Sequence, residues 1–389
     1  MRPLVRPLAV VVVLAALLLA YLVLDWRPWP RSDPLAPLVP GVDPEVRAVL
    51  ARGDVEAAVA LADARGHWAS ARIYEHLRDA LADGLGNAAL ERRPRVLPVL
   101  STWGEALARA YDLPEYRRDA AFWRQTGADT TAALIARWRD LRTALAAGEL
   151  SPDSVKVRLQ DHAAAFRAAG DRFGAVRTGY DLGNICLKLG QIVEARSRFA
   201  EVLADGRRWR LTAETCDALN SLALFALVAD DSLGADYLVE ALDLARQSRL
   251  AARAGRALTV AAMHARREGG FARSMDLLEE AVTTCGELGE AWQGLPYLIY
   301  LMRFHAGLDD WRQVGGLVQR AEALLREAEL AAADPLMLQR EGARLRELKL
   351  RLDIHEGRVQ EALAAYPDLL ADARRQPFAE VLYIHDRQV

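Results

Sequence analysis

Lysine is nearly absent from this 389-residue chain: of its 50 basic side chains only Lys156, Lys188 and Lys349 are lysines, and the rest are arginine. No lysine follows a glycine-rich turn, so a phosphate-binding P-loop is excluded. Cysteine is scarce too. Cys186, Cys216 and Cys285 are more than 25 residues apart, stand in no C-x-x-C pair and have no histidine partner, which leaves neither a zinc site nor a disulfide framework. The apolar neighbours of Cys186 mark it as a small buried hydrophobe. An excess of either charge is missing as well: 53 acidic residues against the 50 basic ones give a net charge of −3, which argues against a nucleic-acid binder. Strand signals are almost lacking, since alanine and leucine dominate and β-branched residues are sparse. With 52% hydrophobic residues the chain is nonetheless apolar enough to bury a sizeable core.

Residues 8–24, LAVVVVLAALLLAYLVL, carry no charge. A helix of that length, extended by its flanks, spans a hydrocarbon core of roughly 30 Å. Arg2 and Arg6 lie in a basic tail at 1–7, and Asp25, Trp26, Arg27 and Trp29 follow at interfacial depth. A cleaved signal peptide is the rival reading, but it calls for a shorter run and small residues at its end, whereas Val23, Leu24, Asp25 and Trp26 stand there. The expectation is a single-pass anchor in a bacterial inner membrane, with the repeat domain outside the cytoplasm; the arginines on the two sides leave that orientation open. Six of the 16 prolines fall between Pro28 and Pro44, so residues 25–44 read as a stiff spacer.

Beyond the spacer the pattern is helical. Asp43-Pro44 and Ser151-Pro152 each put a capping residue before a proline at the first helical position. In LGNICLKLGQIVEARSRFAEVL at 182–203, Leu182, Cys186 and Leu189 share one helical face, Gly190 breaks the helix, and Ala195, Phe199 and Val202 form a facing stripe. Gly183 and Ala195 are small where two helices must approach, which makes this an αα-hairpin. The break and second helix recur, with Gly234, Ser274 and Val314 in the place of Ala195, at spacings of 39, 40 and 40 residues; Ala362 follows after 48. A constant period near 40 predicts an all-α fold, an α-α superhelical solenoid in which each pair buries its apolar face against its neighbours.

Leu182, Gly183, Asn184, Lys188, Leu189, Gly190, Glu194, Ala195 and Phe199 resemble a tetratricopeptide repeat. The 40-residue units are similar to the longer-helix variety found in bacterial regulators and in the N-terminal arms of CHAT-domain proteins. The expected division is therefore a helical region at 45–150, either degenerate repeats or a separate cap, and a repeat domain at 151–389. The resemblance implies that the first helices of successive pairs line a concave groove for a protein or peptide partner, with Arg177, Tyr180, Asn184, Lys188, Asn220 and Arg256 as its candidate residues. Some grooves of this family grip a terminal carboxylate with two asparagines and basic residues. Asn184, Asn220 and Arg256 are similarly placed, although Tyr180 stands where such a grip has a lysine and Val260 replaces a further basic residue. A generic polar groove is the other reading of the same residues. The implied function is a membrane-anchored scaffold, or else the regulatory arm of a signalling or CHAT-protease-type system acting on a separately encoded effector.

Enzymatic signals are wanting. Gly84, Gly86 and Ala89 spell G-x-G-x-x-A but follow a helix, without the strand a dinucleotide site needs. The seven histidines show no metal-ligand spacing, and no G-x-S-x-G or H-E-x-x-H occurs. Neither catalytic residues nor a cofactor or metal are expected. Near the end, Phe378, Val381 and Leu382 share a helical stripe that either folds back as a short cap or mediates self-association. If residues 8–24 are an anchor, carbonate-washed membranes will retain the full chain, and a chain lacking residues 1–24 will be released with its helical circular dichroism intact; a full-length chain found free of membranes would refute the anchor.

Overall fold

The computed structural model describes residues 35, 38–39, 41–81, 87–147, 151–229, 231–331, 333, 335–364 and 366–367. Among the described residues there is no strand, and helix follows helix from Pro44 onward. The predicted anchor at 8–24, the G-x-G segment and the Phe378, Val381, Leu382 stripe lie outside them in whole or in part. No helix among the described residues is long and apolar enough to cross a membrane.

The first five helices form an N-terminal unit: α1 (Pro44–Arg52), α2 (Val55–Asp79), α3 (Asn87–Ala110), α4 (Pro114–Gln125) and α5 (Ala128–Ala147). Asp43 caps α1 by accepting from the Glu45 amide at 2.8 Å, as the Asp-Pro pair predicts. The unit's core is aromatic, with Tyr74, Trp103, Tyr111 and Trp123 fully buried.

Helices α6 (Pro152–Ala169), α7 (Arg172–Lys188), α8 (Ile192–Trp209), α9 (Thr212–Val228), α10 (Leu233–Gln247), α11 (Ala251–Arg267) and α12 (Phe271–Glu287) follow. A 3-10 turn at Ala291–Gly294 leads into α13 (Leu295–Gly307), then α14 (Trp311–Leu330) and α15 (Pro335–His355). Each packs on its sequence neighbour, and first helices also pack on first helices, α7 on α9 and α9 on α11. This is the stacking that the 40-residue period predicts, and it makes the chain an α-helical repeat protein built of stacked αα-pairs.

One stop signal sets the register. After α7 the Gln191 amide donates to the Cys186 carbonyl at 2.8 Å, with Gly190 in the left-handed region. The same bond to a carbonyl five residues back closes α8, α9, α10, α11, α12, α13 and α15, as in Leu211 to Gly206, Leu250 to Ala245 and Gly270 to Ala265. This closure satisfies carbonyls that the helix leaves orphaned and reverses the chain within three residues. Glycine fills the left-handed position at Gly190, Gly269, Gly289 and Gly357, while Arg210, Arg249 and Asp309 hold it without one. Those three turns carry no glycine for the eye to find.

Ala195, Gly234, Ser274, Val314 and Ala362 are all buried, each at the inner face of a second helix. Their size is set by the partner helix. A Cβ on Gly183 would lie 2.6 Å from the Phe199 ring, and one on Gly234 2.6 Å from Leu227. Cys186 is fully buried beside them, as expected. Phe199→Ala will therefore lower unfolding stability by ~3–5 kcal/mol and Ala195→Leu by ~1–3 kcal/mol, read as shifts in the urea midpoint; equal stability of the Ala195→Leu protein would mean that the pairs are not close-packed there.

Outer faces explain much of the arginine. Arg207 of α8 pairs with Glu240 of α10, Arg246 of α10 with Glu280 of α12 at 2.9 Å, and Glu279 of α12 with Arg320 of α14. Each second helix is thus tied to the next. These exposed pairs contribute little individually, roughly 0–1 kcal/mol each, but each joins one second helix to the next.

Candidate binding groove

Helix α2 departs from a regular helix at Gly66, whose φ of 81° and ψ of 163° interrupt it in mid-course. The freed Ala62 carbonyl accepts from the Tyr111 hydroxyl at 2.7 Å and the Ser70 hydroxyl at 3.0 Å, and the Ser70 carbonyl accepts from the Trp103 indole at 2.8 Å. Buried aromatic donors therefore compensate for the lost helical bonds. What the kink achieves lies across the molecule. The Trp68 amide donates to Glu290 Oε1 at 2.5 Å, and the Trp68 ring meets Trp292 edge-on with centroids 5.7 Å apart. A Cβ on residue 66 would come within 2.9 Å of Glu290 Oε1, so glycine is needed here both for its backbone angles and for this approach.

Further contacts hold the N-terminal unit against the inner helices of the repeats. Asp63 pairs with Arg249, Glu75 faces Arg177 at 3.8 Å, Glu115 Oε1 accepts from the Ala213 amide at 3.4 Å, and Arg118 donates to the carbonyls of Trp209 and, at 3.1 Å, Arg210. Helix α2 thus runs over the inner faces of three successive pairs. Two cavities remain beside it. One of about 250 Å³ is lined by Glu75, Glu115, Tyr116, Arg177, Glu214 and Arg253 among others; the second, of about 360 Å³, is lined by Asp217, Arg253, Arg256, Trp292, Tyr297 and Met337 among others. His67, Trp68 and Arg253 line both and stand between them.

Of the six sequence-predicted groove residues, Arg177 lines the first cavity and Arg256 the second. Tyr180 joins Arg256, accepting from its Nη1 at 2.6 Å, while Nη2 reaches Ser221 Oγ at 3.3 Å. Asn184, half-buried, and Lys188, exposed, continue the same face of α7 toward its C-terminus. Asn220 corrects the expectation: it is 0% exposed, and its amide donates to the Arg253 carbonyl at 3.2 Å. It ties α9 to α11 from inside, so Asn184 and Asn220 do not form a joint grip on a carboxylate in the groove.

Charge in the groove is arranged in alternation. Asp217 Oδ2 takes both Nε and Nη2 of Arg253, at 3.2 and 2.9 Å. Burial works against the Arg253 charge, but Asp217 and Glu214 raise its pKa; burial likewise opposes Arg177, which Glu75, Glu214 and Asp181 hold charged. The acids pay the opposite cost. Burial, then the Glu214 charge, pushes Glu115 up to about 8; burial pushes Glu290 up to about 7 and Asp181 up to about 6, and raises Glu214. His67 is driven down to about 3 by burial and by Arg253 and Arg177, which keeps it neutral.

Sequence reasoning missed Glu115, Glu214, Arg253, Glu290 and the His67-Trp68 pair. Gly66 inside an otherwise helical pattern was the one local signal for the kink. The glutamates and Arg253 gave none, since single charges on helices are ordinary.

No family model matches the sequence, and no curated protein matches it. Among solved structures, a Rap protein complexed with competence and sporulation factor aligns over 89% of this chain and 99% of its own, at 11% identity and a TM-score of 0.45.

A carboxyl that folding lifts from 4.5 to about 8 binds its proton more tightly in the native state, so its stabilisation is complete below pH 4.5 and is lost as pH rises toward 8. The urea midpoint will carry a falling component between pH 5 and 8, and Glu115→Gln will flatten it. An unchanged slope in that variant would place the Glu115 proton elsewhere.

Proposed function

We propose that this chain is a non-enzymatic binding protein that receives an extended peptide or a protein segment in the groove between its N-terminal unit and the inner faces of the repeats. The observation that carries this reading is the pair of cavities meeting at His67, Trp68 and Arg253, lined by side chains from four successive inner elements. Stacked pairs of helices buried on their outer partners leave their inner faces free to meet a ligand along several repeats at once. The alternating charges and aromatic rings of those cavities suit a partner with polar and apolar residues in succession.

In the setting we propose, residues 8–24 anchor the chain in a membrane, the proline-rich spacer holds the helical domain away from the surface, and that domain lies outside the cytoplasm. The support for this is the uncharged run and its flanking arginines and tryptophans. The scaffold reading has a rival in a regulatory arm acting on a separately encoded effector. One feature favours it: α2 already lies over the groove, so a ligand entering beside Trp68 would act on the packing of the whole N-terminal unit.

Crosslinking in membranes followed by purification of the chain tests for a partner. The joint variant Lys188→Glu, Arg256→Glu will weaken the captured partner's binding by tenfold or more with helical content retained; unchanged affinity would remove this face from consideration.

A further inference from the structure

The 250 Å³ cavity contains two acids that each keep one oxygen without a hydrogen bond. Glu115, in the first turn of α4, is 1% exposed, and Glu214, in the first turn of α9, is 3% exposed; both line the cavity, and Oε2 of each is buried without a hydrogen-bond partner. Among the described residues neither is in an ion pair. The arginines around them are differently placed. Arg253 is taken by Asp217, Arg177 faces Glu75 at 3.8 Å, Arg72 faces Glu75 at 3.6 Å, and Arg118 donates to the backbone of Trp209 and Arg210. Burying a polar oxygen with no donor costs roughly 1–3 kcal/mol, and two such oxygens in one cavity are open to a donor brought by a ligand.

The walls describe that donor. Trp68, Tyr116, Trp138 and Phe173 line the same cavity as the two glutamates, and aromatic faces attract cations, guanidinium most of all. A guanidinium carries five donors in a plane, enough to serve both carboxylates, and a primary ammonium carries three. Glu75, Glu115 and Glu214 share this lining with Arg72, Arg177 and Arg253, but those arginines face Glu75 or Asp217, so the oxygens left without a donor are those of Glu115 and Glu214. We infer that this cavity is a subsite for one basic side chain, a guanidinium or a primary ammonium, presented by a peptide and held between Glu115 of the N-terminal unit and Glu214 of the repeats. This deepens the groove reading and rests on it for the peptide. It also assigns the N-terminal unit half of a binding site, so that neither the unit nor the repeats alone would hold the ligand.

The titratable and charged groups that line the subsite or act on its glutamates are His67, Arg72 and Glu75 from α2, Glu115, Tyr116 and Arg118 from α4, Arg177 and Asp181 from α7, Glu214 and Asp217 from α9 and Arg253 from α11. Because folding raises Glu115 to about 8, its carboxyl holds a proton at pH 7 that an incoming cation displaces into solvent. Binding of the cation is therefore accompanied by proton release, and it strengthens as pH rises from 6 to 8. His67, neutral throughout that range, does not contribute to the change.

The test uses the full-length chain in a neutral detergent, with Nα-acetyl-arginine methylamide, its lysine counterpart and the neutral isostere Nα-acetyl-citrulline methylamide as probes in calorimetry. The arginine and lysine probes will bind, and citrulline will bind at least about tenfold more weakly, as expected for losing charge-assisted bonds. Glu115→Gln and Glu214→Gln, both isosteric, will each weaken the arginine probe by about tenfold while thermal unfolding stays cooperative. Heats measured in phosphate and in Tris will differ because each buffer takes up the released proton with a different enthalpy, and Glu115→Gln will abolish that difference. Equal binding of arginine and citrulline probes, or arginine binding indifferent to both glutamine variants, would overturn the subsite. Partners captured on membranes whose binding ignores their basic residues would overturn the subsite and leave the groove standing; arginine-probe binding with no captured partner would do the reverse.

Discussion

Every pair in the repeat domain depends on how its helices stop. A helix that ends on a bond to the carbonyl five residues back, with one residue in the left-handed region, turns the chain through nearly half a circle in a fixed number of residues. Because α7, α8 and α10 through α13 close in this way, successive helices fold back on one another, and the small residues at Ala195, Gly234 and Ser274 lie buried against their partners. Groove, cavities and outer ion-pair ladder all inherit that regularity. A stop displaced by one residue would rotate the following helix by about 100° and turn its apolar stripe out of the core.

Gly66 is the exception that creates the site. Here the helix is interrupted rather than ended, and the interruption is stabilised by hydroxyl and indole donors from Tyr111, Ser70 and Trp103. The kink brings Trp68 and His67 to the inner faces of pairs that lie far along the chain. Without it α2 would have no backbone amide to offer Glu290. A regular solenoid groove is open along its length, whereas this one is divided by a helix of the same chain, and its two chambers differ in character: glutamates with aromatics on one side, Asp217, Arg253 and Arg256 with Trp292 and Tyr297 on the other.

The near-zero net charge also takes on a meaning. Acids and arginines are placed so that the arginines are claimed, by Glu240, Glu280 and Glu279 on the outer faces and by Asp217 and Glu75 within the groove. Arginine suits that task because its planar fork holds two oxygens at once and remains charged under burial. The glutamates in the groove with an unbonded oxygen stand out against that background.

The sequence by itself determined the helices, their capped starts at Asp43 and Ser151, the pairing of 182–203 into a hairpin and the 40-residue period with small residues at 195, 234, 274 and 314. These are readable because each is set by contacts within one or two turns or by a spacing that repeats. The resemblance to tetratricopeptide repeats also implied a shared inner face for Arg177, Tyr180 and Arg256, and the structure brings Tyr180 and Arg256 together. Only the tertiary structure decided that Asn220 points inward to the Arg253 carbonyl, that Trp68 reaches Glu290 across 222 residues of chain, and that Glu115 stands near Glu214. Helical periodicity fixes which side of a helix a residue occupies. Which distant helix faces that side follows from the stacking of all the pairs together and from one glycine's left-handed backbone, and no local pattern encodes it.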